Sequence, residues 1–141
     1  MTPPLYTTEI LRLAASLKEP HALEREDGSA SLRSPTCGSR MQTIVQLNSE
    51  GRVEAVSQTV LACAFGQASA TLVECGAIGR TGEEIEVSLS QIDAWLAGDG
   101  AEPGWPGIAA LAPARPRKSR HGAILLPFRA LLAAIDASSA A

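Results

Sequence analysis

The chain has 141 residues, 45% hydrophobic, 19% charged and 4% aromatic, enough for one compact core packed mainly by aliphatic side chains and too short for a second. The expectation is a single domain over residues 1–141 with a frayed tail near 138–141. A formal net charge of −3 gives no basic field for phosphate backbones and argues against nucleic acid as a partner.

The N-terminal stretch lacks the basic leader, apolar stretch and small-residue cleavage site of a secretory signal, and no later run approaches membrane-spanning length. The expectation is a cytoplasmic protein with no membrane partner. Three cysteines with long gaps do not form a secreted disulfide framework, and a reducing compartment leaves them as thiols.

Thr7 or Thr8 is placed to cap a first helix with Ile10, Leu13, Ala14 and Leu17 on one face, stopped by Pro20. Ala30 to Arg33 is a candidate strand. Met41, Thr43, Val45 and Leu47 alternate with Gln42 and Gln46, and a turn at Asn48 to Gly51 leads into a further strand. The fold class expected is α+β, a small three-stranded antiparallel sheet with helices packed on one face and the cysteines gathered at one end.

After the sheet the period changes. Phe65, Ala68, Leu72 and Cys75 recur at helical spacing, Cys63 falls in the first turn, and Gly76 or Gly79 ends the run. The stretch from Ser88 reads as a compact helix, with Ser88 and Gln91 as a capping box and Gly98 as its stop. Ile108 to Ala112 is a short helix at best. The last helix is expected to begin close to Pro127, because proline is tolerated in a first turn.

The thiols separate by context. Cys37 lies between Pro35 and Gly38, in a loop with a special backbone rather than in an apolar run, which suggests reactivity or metal ligation. Cys63 enters a helix, whose open amides and positive dipole end favour a thiolate. The alternative for Cys63 is a small buried hydrophobe. Cys75 is separated from it by about 18 Å of helical rise, whereas two sulfurs on one metal ion lie about 4 Å apart. The two cannot share a metal, and Cys75 is assigned to the core. His21 is expected to be a solvated loop residue, and His121, just before the last helix, is a candidate third nitrogen donor or a surface histidine.

Read together, "SPTCGSRM", the hairpin and "CAFGQASATLVE" resemble the U-type iron-sulfur cluster assembly scaffolds, the IscU, SufU and NifU N-terminal family. Their pattern is Asn-Pro-x-Cys-Gly-Asp, a hairpin, and a second cysteine entering an Ala- and Ser-rich helix. "LAPARPRKSRHGAILLPFRALLAAI" is similar to the family's last region, where a third cysteine precedes a Leu-Pro-aromatic-basic-Ala-Leu helix. The resemblance covers nearly the whole chain and matches Cys37 and Cys63 to the first two cluster ligands. Ser39 stands where the family has a metal-binding aspartate. The third cysteine is replaced by Ala123 if aligned on "LPFRAL", or by Gly122 if aligned on the family's His-Cys pair, with His121 matching that histidine. The match of Leu111 to Arg115 to a chaperone-docking Leu-Pro-Pro-Val-Lys segment is too loose to imply a partner. The basic run from Arg115 to Arg120 reads as a solvated loop.

The resemblance implies a non-enzymatic scaffold or carrier holding iron, a [2Fe-2S] cluster or zinc through Cys37, Cys63 and His121, with a cysteine desulfurase and recipient apo-proteins as partners. Two cysteines favour a cluster shared across a homodimer, or a weakly held ion, over a stable cluster in one chain. The alternatives are a scaffold fold whose cluster site has decayed, leaving a metal-binding or regulatory partner, and, ranked below both, an enzyme with Cys63 or Cys37 as nucleophile and His121 as base.

Overall fold

The computed structural model describes residues 6–34 and 38–139. Helix α1 spans Thr8–Ala15, and its N-cap Thr7 accepts a 3.1 Å hydrogen bond from the Ile10 amide. It ends at Ser16, well before Pro20, and buries Ile10 completely.

Strands β1 (Gly28–Arg33), β2 (Arg40–Leu47) and β3 (Val53–Leu61) form the expected antiparallel sheet, in the order β1-β2-β3. Asn48 sets the β2–β3 turn: its Oδ1 accepts from the amides of Glu50 (2.9 Å) and Arg52 (3.0 Å), and Gly51 takes φ +76°. The register puts Met41, Thr43 and Val45 opposite Val60, Gln58 and Val56 on the covered face. Across the other ladder the same residues face Leu32, Ala30 and Gly28.

Helices α2 (Ala64–Gly76), α3 (Gly82–Leu96) and α4 (His121–Ser139) supply the cover, with α4 across β1 and β2 and α2 against β3 and α4. Close approach is possible because glycines stand at the crossings. A Cβ on Gly28 would lie 2.0 Å from the Ala134 carbonyl oxygen, and one on Gly66 would meet Ala62 Cβ at 2.6 Å. The Ser69 hydroxyl donates to the Ile124 carbonyl (2.6 Å), and Trp105 Nε1 donates to the Leu72 carbonyl (2.8 Å). The fully buried Phe65, Phe128, Ile85, Ile124 and Leu131 fill the space between.

Three expectations need correction. Helix α3 starts at Gly82, because Thr81 and Glu84 form the capping box; Ser88 is a buried residue in the helix interior, not a cap. Helix α4 begins at His121, so Pro127 lies inside it. A proline there cannot donate to the carbonyl of Ala123, four residues back, and that oxygen lies where α2 presents Gly66. The preceding 3-10 turn, Lys118–Arg120, leads directly into α4. The third concerns membrane-spanning length. Lys118–Ser138 is long and apolar enough to cross a membrane by length and composition, yet Ile124, Phe128, Leu131 and Ala134 are wholly buried in the core. Its apolarity is that of a central core helix. Ile108–Ala114 forms a 3-10 helix with Pro113 inside it.

Candidate functional site

Strand β3 runs out at Leu61 and α2 begins at Ala64, so Cys63 occupies the N-cap position, with extended φ −68° and ψ 174°. Its thiol makes no capping hydrogen bond. Ser, Thr, Asp or Asn at such a position typically stabilises a helix by about 1 kcal/mol, so a half-buried cysteine there forgoes a stabilising contact and keeps its sulfur available.

That sulfur borders a cleft of about 280 Å³, formed by Gly38 and Ser39 from the β1–β2 connection, Ala62 and Cys63 from the start of α2, and Arg120 and Ala123 from the start of α4. The connection is drawn tight where the Ser34 amide donates to the Ser39 carbonyl (2.7 Å). Gly38 holds φ +74°, a conformation that L side chains rarely adopt. Ser39 is buried. Cys37 lies outside the described residues, while Gly38, bonded to it, lines the cleft.

His121 lies one residue after Arg120, but its ring turns toward the end of the 3-10 helix. Nε2 sits 3.0 Å from the Ala114 carbonyl and 2.9 Å from the Arg115 carbonyl. Two carbonyl acceptors require the hydrogen on Nε2, and in the neutral ring that makes Nδ1 the lone-pair nitrogen. Of the two positions aligned with the family's third cysteine, Ala123 lines the cleft, 1% exposed.

Cys75 is a correction. It is exposed rather than packed in the core. Helix α1 covers that flank of α2 at Thr71, whose hydroxyl donates to the Leu13 carbonyl (2.6 Å), and Cys75 lies one turn beyond that contact. Its separation from Cys63 stands, since α2 is continuous between them. His21 is exposed, as expected, with its amide donating to Ser57 Oγ (3.0 Å).

The residue not anticipated is Arg120. In sequence it belongs to a basic run that reads as a solvated loop; the early start of α4 turns it into the cleft. Among the described residues no group of three or more His, Cys, Asp or Glu side chains converges to hold a metal ion. The cleft's described residues offer one soft donor, Cys63, one hydroxyl, Ser39, and one cation, Arg120.

No protein-family model matches the sequence, and comparison with curated proteins finds no match. Solved structures do match. The N-terminal NifU-like nitrogen-fixation protein of Brucella abortus is 28% identical, covering 96% of this chain and 95% of that one, with a TM-score of 0.87. The putative iron-sulfur cluster assembly scaffold of the SUF system from Fervidobacterium islandicum AW-1 is 19% identical over 93% of this chain and 96% of that one, with a TM-score of 0.81. The fold is that of the U-type iron-sulfur scaffolds. The likeness to the NifU-like structure supports the family resemblance carried by the cysteine motifs.

Proposed function

We propose that this chain is a non-enzymatic iron-sulfur cluster assembly scaffold or carrier, taking iron and sulfide, or zinc in their place, as cargo on Cys37 and Cys63. The observation that carries the reading is the uncapped Cys63 lining a cleft that is also lined by Gly38 and Ser39, the two residues directly after Cys37. The fold of the NifU-like structure supports it.

The donor set fits transient holding better than permanent ligation. Thiolates are soft ligands suited to zinc or an iron-sulfur cluster, but a closed site takes four. Ser39 replaces a hard carboxylate with a hydroxyl, and Ala123 supplies no donor. A [2Fe-2S] cluster shared between two copies would complete the set, with His121 Nδ1 as a further ligand once its ring is drawn toward the cleft. Arg120 would offset the negative charge of thiolates and sulfide. A cysteine desulfurase as sulfur source and apo-proteins as recipients follow from the scaffold reading.

A second reading has an observation of its own. A guanidinium and a methyl group stand where a metal site would gain from a donor, as expected of a scaffold fold whose cluster site has decayed and which serves as a regulatory partner. Anaerobic reconstitution with ferrous iron and sulfide separates the two. A scaffold develops visible charge-transfer absorption that is lost in Cys37→Ala and Cys63→Ala and kept in Cys75→Ala. A colourless wild type, free of iron after desalting, favours the decayed site.

A further inference from the structure

We propose that the uncovered face of the sheet beside Cys63 is a docking groove for an acidic, extended segment of a protein partner. The register places Arg33, Arg40, Gln42, Ser57, Thr59 and Leu61 on the face opposite the helices. The chain between α1 and β1 covers the far half of that face: the His21 amide donates to Ser57 Oγ (3.0 Å) and the Arg25 amide to Gln46 Oε1 (3.2 Å). The near half stays open as a groove of about 370 Å³ lined by Ser31, Arg33, Arg40, Gln42, Thr59 and Leu61, within the roughly 300–1,000 Å³ range of binding clefts.

Its charge identifies the occupant. Arg33 and Arg40 are direct partners across the β1–β2 ladder, and both are exposed. Like charges directly opposite each other on one sheet face are destabilising. The ion pairs among the described residues belong to Arg25 and Arg52, and neither groove arginine has one. Among the described residues no carboxylate lines this groove or the cleft at Cys63, although the chain as a whole carries net charge −3. Two uncompensated cations held side by side on an acidic protein call for an anionic ligand.

Leu61 fixes the direction. It is 57% exposed and lines both the groove and the Cys63 cleft, which Arg120 also lines. An extended peptide can place alternate acidic side chains on Arg33 and Arg40 and an apolar one over Leu61, and so present its next residues to Cys63. The groove does not depend on what the cysteines hold, so the inference goes beyond the scaffold reading.

The test is fluorescence anisotropy of the metal-free full chain with a labelled synthetic peptide of about ten alternating Glu and Leu residues and its Lys and Leu counterpart. The acidic peptide should bind, more weakly as salt rises, and the basic one should not. Affinity should drop about tenfold in Arg33→Gln/Arg40→Gln, drop also in Leu61→Ser, and be unchanged in Arg12→Gln, where the exposed arginine lies on α1. Equal affinity in wild type and the double variant, or no binding at low salt, would overturn the proposal. So would a wild-type dimer in sedimentation that the double variant abolishes, since a second copy would then be the occupant. Iron uptake by the double variant should match wild type, so failure of docking and failure of the scaffold reading show in different measurements.

Discussion

Cys63 and Cys75 share a helix and differ in consequence. One stands two residues after the end of β3 as the N-cap of α2, with its thiol uncapped at a cleft; the other is exposed in the last turn. The place of Cys63 at a helix entry was legible because a change of period and a helix start have fixed backbone meanings. The exposure of Cys75 was not, because helical phase identifies a face and not how far a neighbouring helix reaches along it. Arg120 was hidden for a related reason: a charge run reads as solvated until the next helix's starting point is known. Ala123 yields a prediction at this scale. Ala123→Cys would place a second thiol beside Cys63 in the cleft, and zinc should be held more tightly and released to a chelator about tenfold or more slowly than in wild type, as measured by stopped-flow with a colorimetric chelator. Equal release rates would show that position 123 does not face the metal.

Among the elements, α3 is the simplest case. Thr81 Oγ1 accepts from the Glu84 amide (3.2 Å), and the Glu84 carboxylate accepts from the Thr81 amide (3.4 Å). Thr81→Ala should cost about 1 kcal/mol in urea unfolding, and Ser88→Ala should not reproduce that loss of a cap. The Thr-x-x-Glu signal was present in the sequence. Ser88 and Gln91 offer the same spacing nearer the apolar run and so compete with it. Pro127 is a comparable case: local preference places a proline in a first turn, whereas tertiary packing on α2 and the sheet holds this one six residues inside α4. Helix α2 carries a pH-dependent contact. Glu74 is half-buried, and burial raises its carboxyl above the ordinary value of 4.5, opposed by hydrogen bonds from the Lys18 amide and Gln58. The folded state therefore binds this proton more tightly than the unfolded chain, and stability falls as pH rises from about the ordinary value through the raised one. Glu74→Gln should be more stable than wild type at neutral pH, with the difference closing in acid, as read from thermal unfolding against pH. A constant difference would contradict the sign.

At the scale of the molecule, the α+β class and the three-stranded antiparallel sheet were legible because alternation, a two-sided turn and a change of period survive in the sequence. Where the strand ends, the loop and two helix starts meet was not legible, because convergence is a property of the closed fold. That convergence is what the scaffold reading depends on: the cargo-binding sulfur must be Cys63, in the cleft between the β1–β2 connection and α4. Zinc loading followed by X-ray absorption at the zinc edge tests this directly. Wild type should show sulfur scatterers near 2.3 Å, and Cys63→Ser should lose one of them in favour of oxygen or nitrogen near 2.0 Å, with Cys75→Ser unchanged. A sulfur shell that survives Cys63→Ser intact, or disappears in Cys75→Ser, would contradict the account.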